Sequence, residues 1–343
     1  MHKTKVIMIG TGRIAKEHIK CLMQLPSVNI VGVCDLSAAK AESTAERCGI
    51  TLWDTNYEEL IRKTNPDIAH ITTNPASHFL ITKNILNSNV SAFVEKPITL
   101  SFPEFQILQT IAETKRLILL ENHNYLFNPP MQSVFTKIQT GEFGEVKHVN
   151  INLCIDFTPP KQLYQPLATC QEFITHLASL SNALIGPHKE VYTSWKNQEP
   201  ENGYDQLSIL VKGRKGTVSI YLNSKSAPEG FWVEVFGSKM RASINLFESH
   251  QIFEKNRILP RPLSHFTNGI HQSFSIFKSS FESLWNKLKG NPSGYSGLNI
   301  LLKKTYEAIE KKDPLPIDSK HLNEVNQLVA AILTQAPIHE KTT

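Results

Sequence analysis

The sequence predicts an α/β chain in two parts, a doubly wound parallel sheet followed by an α+β domain with an open, mainly antiparallel sheet. Three observations carry this. Over about the first 120 residues, short apolar runs without alternation are separated by amphipathic stretches, the pattern of parallel strands covered on both faces and joined by helices. Further on, apolar and polar residues alternate in period two, as in strands with one solvated face. Finally, 343 residues exceed what one ordinary core accommodates. The boundary is placed after residue 122, with a dinucleotide-type domain over 1–122 and the second domain over 123–343.

The apolar runs Lys5–Ile9, Val28–Cys34, Ile68–Thr72, Val90–Val94 and Leu117–Leu120 are the strands of the first domain. Ile14, Ala15, His18, Ile19, Leu22 and Leu25 recur at helical spacing between the first two, until Pro26 and Ser27 end the segment. Further helices fit Ala38–Arg47, Ser77–Asn87 and Ser101–Thr114. Pro129-Pro130 opens a helix through Thr140, and Gly141–Gly144 is a turn. Val149, Ile151, Leu153 and Ile155 then alternate with polar residues, as do Leu207–Val211, Val218–Leu222 and Val233–Val235. One helix interrupts these strands near Gln171–Ile185, and two more close the chain near Ser296–Lys311 and His321–Thr334. Leu259–Thr267, with Pro260 and Pro262, reads as an irregular loop.

Composition narrows the function. Hydrophobic content of 41% and charged content of 20% are ordinary for a globular protein, and the net charge of +5 comes from scattered residues, which argues against nucleic-acid binding. Five cysteines without a CxxC pair read as reduced thiols in a cytoplasmic protein. No run reaches the length of a membrane span, and the histidines lack ligand spacing, so neither membrane nor metal is expected. Phe274, Phe277 and Phe281, with Trp285, form a core or subunit-contact stripe.

Immediately after the first strand stands Gly10-Thr11-Gly12-Arg13-Ile14-Ala15. A GxGxxA between a strand and a helix is the fingerprint of a Rossmann dinucleotide site, whereas the glycine pattern alone is weak. Gly10 supplies the tight turn, Gly12 lets the backbone approach a pyrophosphate, and Ala15 is small enough for helix and strand to pack. Thr11, Arg13 and Ile14 complete the cradle. Asp35 ends the second strand, placed to accept hydrogen bonds from the adenosine ribose, and its charge favours NAD over NADP. Lys40 keeps NADP open. The competing reading is a glycine turn with no ligand.

With these residues, three further motifs make the chain resemble the Gfo/Idh/MocA oxidoreductase family, named for glucose-fructose oxidoreductase and inositol dehydrogenase. They are Thr72-Thr73-Asn74-Pro75-Ala76-Ser77-His78, Glu95-Lys96-Pro97 and Gly141-Glu142-Phe143-Gly144-Glu145-Val146. The resemblance implies hydride transfer at a hydroxyl-bearing carbon of a small polyhydroxylated substrate. It implies that Thr73, Asn74, His78 and Glu95 lie beside the nicotinamide half of the cofactor and that Lys96 sits at the reacting hydroxyl. A lysine that only closes the loop is the alternative. It also matches His176 to the family's catalytic histidine and Glu172 to an acid four residues before it. Helical spacing puts Glu172, His176 and Ser179 on one face, apart from the apolar stripe of Phe173, Leu177, Leu180 and Leu184. A carboxylate one turn from an imidazole can raise its basicity, which suits acid/base work. A plain surface pair is the alternative.

The chain departs from the family on the substrate side. Pro166, Leu167 and Ala168 replace a glycine triplet, Ser179 replaces an acid, and Leu126 stands where many relatives have arginine. Three functions follow as expectations: a dehydrogenase of a sugar, sugar nucleotide or cyclitol; a redox-neutral sugar reaction on tightly held NAD; or a non-catalytic dinucleotide-binding regulator. The resemblance further implies a homo-oligomer through the C-terminal sheet.

Overall fold

The computed structural model describes residues 3–156, 168–196, 204–255, 261–288 and 295–337. The chain divides into two compact units, Met1–Asn124 with Leu298–Asn326, and Tyr125–Gly297 with Gln327–Thr343.

The first unit is built on a six-stranded sheet in the order β3-β2-β1-β4-β5-β6, every neighbouring pair parallel. Its strands are β1 (Thr4–Ile9), β2 (Val28–Cys34), β3 (Trp53–Asp54), β4 (Ile68–Ile71), β5 (Ser91–Val94) and β6 (Leu119–Glu121). The order reverses between β1 and β4, the point where such sheets gather ligands at their carboxyl ends. Helices α1 (Arg13–Leu22), α2 (Ala38–Cys48), α3 (Tyr57–Thr64), α4 (Pro75–Asn87) and α5 (Phe102–Lys115) make the crossovers. The unalternating runs have the cause expected of them: Val6, Ile7 and Met8 on β1 are fully buried, each worth roughly 1.5–3 kcal/mol of transfer free energy. Two-residue β3 carries no periodicity and is absent from the sequence prediction.

Leu298–Asn326 returns to the first unit, whereas the sequence reading runs that domain only through residue 122. The return is anchored by polar bonds that hydrophobic periodicity does not encode. Tyr306, on α9 (Ser296–Lys311), bonds His70 on β4, and Asn326, on α10 (Ser319–Leu333), bonds Glu121 on β6.

The second unit carries a seven-stranded sheet in the order β13-β12-β11-β7-β10-β9-β8. Its strands are β7 (Val146–Asp156), β8 (His188–Lys196), β9 (Gln206–Gly213), β10 (Thr217–Asn223), β11 (Lys225–Gly237), β12 (Met240–Asn245) and β13 (His250–Lys255). Only β7 and β10 pair in parallel; the other pairs are antiparallel. Alternating Val149, Ile151, Leu153 and Ile155 are buried, and α7 (Ala168–Ile185) packs against β7, β9 and β10. Helix α6 (Pro129–Gln139) leads into the sheet. Strand β8 escapes prediction because it alternates half-buried with exposed residues and lacks an apolar stripe.

The loop expected over Leu259–Thr267 is instead the start of a 28-residue helix, α8 (Arg261–Leu288). Pro262 is its second residue, a position where a missing N–H removes no helical bond. Residues 256–260 lie outside those described.

Candidate active site

At the end of β1, Gly10 adopts φ +90°, and a Cβ there would stand 2.8 Å from the Thr72 carbonyl oxygen. Its N–H donates to the Cys34 carbonyl, and the Thr72 hydroxyl donates to the Gly10 carbonyl at 2.9 Å. Gly10 is therefore required by conformation and packing. Gly12 is different. It caps α1, and a Cβ there meets nothing within 4 Å. That open space lies before the unsatisfied N–H groups of the first turn, an arrangement suited to a pyrophosphate. Arg13 is exposed and Ile14 half-buried on that turn.

Asp35 closes the loop from β2. Its Oδ2 accepts from the Thr11 N–H at 2.9 Å and the Thr11 hydroxyl at 2.8 Å, and Oδ1 accepts from the Ser37 N–H at 3.0 Å. Burial pushes this carboxyl up, but the N–H groups of Ser37 and Thr11, the Thr11 hydroxyl and the Lys40 charge outweigh it and hold it low. Both donors of Thr11 thus face Asp35, so Thr11 shapes the loop through the acid.

The β4 and β5 ends are tied to each other. His78, buried on α4, sets Nδ1 at 2.8 Å from the Pro97 carbonyl and Nε2 at 3.2 Å from the Thr73 carbonyl. Burial lowers its pKa, with the two carbonyls pulling the other way. A neutral ring donates once, and the shorter bond assigns that proton to Nδ1. Asn74 caps α4 by accepting from the Ala76 N–H at 3.0 Å, and the Thr73 hydroxyl meets the Ser77 hydroxyl at 2.8 Å. His78 holds the loop through protein carbonyls, while Thr73 is half-buried and Asn74 exposed. Lys96 is half-buried between Glu95 and Pro97, both buried.

Glu95 ends a chain of buried hydrogen bonds. Its Oε1 lies 2.8 Å from His18 Nε2 and accepts from Asn122 Nδ2 at 2.6 Å. His18 Nδ1 is 2.9 Å from His70 Nδ1, and His70 Nε2 is 2.8 Å from the Tyr306 hydroxyl. Burial alone would raise the Glu95 carboxyl, but the His18 hydrogen bond and charge, the Lys96 charge and Asn122 hold it below its ordinary value. An ionised carboxylate only accepts, so His18 donates to it from Nε2. Burial, reinforced by the His18 charge, drives the His70 pKa well down, which agrees with a neutral ring.

A second buried acid sits on β6. Glu121 accepts from the Ile98 N–H at 2.8 Å, from His123 Nε2 at 3.0 Å and from Asn326 Nδ2 at 3.2 Å. His321 packs edge-on against His123 with ring centroids 5.4 Å apart, and burial first, then the His123 charge, lowers its pKa to about 3. His70 and His321 are thus neutral when folded and protonate when unfolded below pH ~6.5. The unfolded state then binds more protons, so stability is complete above that pH and declines as pH falls, by up to about 1.4 kcal/mol per pH unit for each group. We expect the melting temperature to be level from pH 8 to 7 and to fall between pH 6.5 and 5. In His321→Gln the slope should be about half as steep. A wild-type melting temperature flat from pH 8 to 5 would contradict the neutral assignment.

In the second unit, His176 is buried on α7 and meets the Tyr125 ring edge-on, with centroids 4.6 Å apart at 89°. Tyr125 in turn lies against Phe231 at 4.8 Å, and burial, then the Tyr295 charge, pushes its hydroxyl up to about 12. The separate polar face expected for α7 is not there: residues 174–182 are all buried, so His176 and Ser179 share the interior with Leu177 and Leu180. Ser179 donates to the His176 carbonyl at 2.9 Å within its own helix. A surface pair is excluded by the burial of His176. Glu172 lies on α7, but its side chain, like Pro166 and Leu167, is outside the described residues.

Sequence reasoning missed His18, Asn122, Tyr125 and Tyr306. The available signal was His18, a polar residue on the apolar face of α1. The carboxamide oxygens of Asn122 and Asn124 are buried and accept nothing from the described residues, which leaves two acceptors for a bound group's N–H or O–H at the end of β6. With the open space at Gly12 and the acid at Asp35, the residues fit a nicotinamide dinucleotide. Among the described residues no group of three or more His, Cys, Asp or Glu side chains could hold a metal, and no helix is long and apolar enough to cross a membrane.

A doubly wound sheet with this glycine loop defines a dinucleotide-binding oxidoreductase domain. Residues 4–123 match the family model described as oxidoreductase family, NAD-binding Rossmann fold. The chain is 25% identical over 242 residues to the inositol 2-dehydrogenase of Rhizobium meliloti, covering 68% of this chain and 72% of that one. It is also 25% identical over 246 residues to the uncharacterized oxidoreductase YrbE of Bacillus subtilis, covering 69% and 72%. Its fold is similar to that of the WlbA dehydrogenase of Bordetella pertussis, crystallised with NADH and UDP-GlcNAcA, with a TM-score of 0.79 at 17% identity over 98% of this chain and 96% of that one. Over residues 4–123 the chain thus resembles the Gfo/Idh/MocA oxidoreductases.

Proposed function

We propose that this protein is an NAD-dependent dehydrogenase that moves hydride to or from a hydroxyl-bearing carbon of a sugar, sugar nucleotide or cyclitol. The observation that carries the reading is the loop from Gly10 to Asp35, with space at Gly12 for a pyrophosphate and an ionised acid for the ribose. When bound, the nicotinamide supplies the hydride chemistry. Lys96 holds the substrate hydroxyl and relays its proton, and His176 is the acid/base group of the second unit, with Glu172 as its carboxylate partner. Gly10, Thr11, Gly12, Arg13, Ile14 and Asp35 hold the adenosine and pyrophosphate, and Thr73, Asn74, His78 and Glu95 form the nicotinamide side. The inositol dehydrogenase relative and the sugar-nucleotide complex of the structural neighbour support the substrate class. The protein acts in the cytoplasm. It self-associates through the sheet face opposite α7, which presents Asn150, Asn152, Tyr192 and Leu210.

Titration of NADH and NADPH into wild type and Asp35→Ala tests the cofactor side. Loss of a charge-assisted ribose bond, worth about 1.5–3 kcal/mol, should weaken NADH at least about tenfold and narrow its advantage over NADPH. Failure of both dinucleotides to bind wild type, or an unchanged Kd in the variant, would refute the assignment.

A further inference from the structure

We propose that α8 is a self-association surface on which a second copy of this chain docks, helix against helix across a two-fold axis. The helix is turned the wrong way for a core element. It packs on edge strand β13, and the side toward the protein carries half-buried Gln272, Ser275 and Ser279, with Gln272 Nε2 donating to Glu254 Oε1. Its apolar residues face solvent: Ile270, Phe274, Phe277, Phe281, Leu284 and Trp285 are all exposed. The reading of this stripe as core is thereby excluded.

Spacing selects the occupant. Ile270, Phe274, Phe277, Phe281 and Leu284 follow one another at steps of 4, 3, 4 and 3 residues, the a/d seam by which one helix packs along another. A helix lying in a lipid interface has a broad apolar face and a polar face rich in Lys and Arg. Here, among the described residues, the seam is flanked by only two further exposed apolar residues, Ile276 and Trp285, and from Asn268 to Phe281 the sequence has Lys278 as its single charge among serines.

Area supports the same choice. Phe274, Phe277, Phe281 and Trp285 are 67%, 69%, 58% and 52% exposed. At about 200 Å² for each aromatic residue, they leave about 500 Å² uncovered. Ile270 and Leu284 extend the patch to roughly 700 Å², more than single chains ordinarily expose. Covering the stripe on two copies removes about 1,400 Å² from water, within the roughly 1,200–2,000 Å² of stable interfaces. An isologous pair sets the axis near Phe277, the middle of the seam, where each ring meets its own copy.

The test measures solution mass by light scattering for wild type, Phe277→Glu and Phe281→Glu, with NADH binding and circular dichroism as checks that both units are folded. Each glutamate puts a charge into the apolar seam, Phe277→Glu directly opposite its own copy, so the mass should fall twofold whether or not the sheet face also pairs, since association through that face survives in the variants. Phe277→Leu keeps the seam apolar and should retain the wild-type mass. Folded glutamate variants of unchanged mass would overturn the proposal. So would a wild type that stays monomeric, whether or not it binds anionic phosphatidylserine vesicles; vesicle binding lost in Phe277→Glu would assign the stripe to a lipid surface.

Discussion

Lys96→Ala should lower kcat/KM by about 10³-fold and move the NADH Kd by less than about threefold, because a positioned proton carrier contributes about 10²–10⁴ in rate and little to cofactor affinity. The structure fixes the backbone on either side of position 96. Its neighbours are pinned on both sides: Glu95 by His18 and Asn122, and the Pro97 carbonyl by His78. The lysine is thus presented from a backbone fixed to the interior at the carboxyl end of a strand, where ligands of such sheets gather. Lys96→Arg separates the two parts of the role. It keeps the charge that holds a hydroxyl but does not give up a proton near neutral pH, so it should bind substrate and still lose turnover. The measurement is steady-state turnover on a substrate found by screening cyclitols, sugars and nucleotide sugars, alongside an NADH titration. Near-normal turnover in Lys96→Ala would leave the lysine a loop-closing residue.

The parts of this protein legible in its sequence are those whose physics is local. The parallel sheet could be read because each strand is an uninterrupted apolar run, and the glycine loop because turn, cradle and helix start fall within six consecutive residues. The acid at Asp35 was legible from its place at the end of β2. What it does inside the loop was not, since its three hydrogen bonds come from Thr11 and Ser37. Short or exposed strands such as β3 and β8 carry too little burial to imprint a period. The tripeptide Glu95-Lys96-Pro97 could be recognised, yet the environment of Glu95 is assembled from His18, 77 positions away, and Asn122, 27 positions away. Side-chain hydrogen bonds between distant residues leave no periodic trace. The same holds for Tyr125 against His176, which required the fold to bring a short turn onto a buried helix. In α8 the seam was legible, but only the structure shows that it faces outward.

Glu95→Ala should lower stability by about 2–6 kcal/mol and the melting temperature of the first unit by about 10 °C, since each of two buried donors left without an acceptor costs about 1–3 kcal/mol. The carboxylate takes two buried donors on one oxygen, and deletion leaves both His18 Nε2–H and the Asn122 amide without an acceptor. The loss does not stop there, because His18 also meets His70, which in turn meets the Tyr306 hydroxyl. Glu95→Gln discriminates a structural anchor from a group whose charge acts on the ligand. Both bonds fall on Oε1, so a carboxamide oxygen at the same place can accept both, and the stability loss should shrink to about 1 kcal/mol. The glutamine also removes a group whose folded pKa is depressed. Stability that wild type holds above the ordinary carboxyl pKa of about 4.3 and loses as pH falls through the folded value should become less steep in that acid range. Thermal melts of both variants at pH 7.5 and at pH 4, with NADH titration at pH 7.5, separate the roles. An anchor predicts that Glu95→Gln binds NADH like wild type while Glu95→Ala melts early. Equal, small losses in the two variants would show that the His18–His70–Tyr306 chain holds its geometry without the acid.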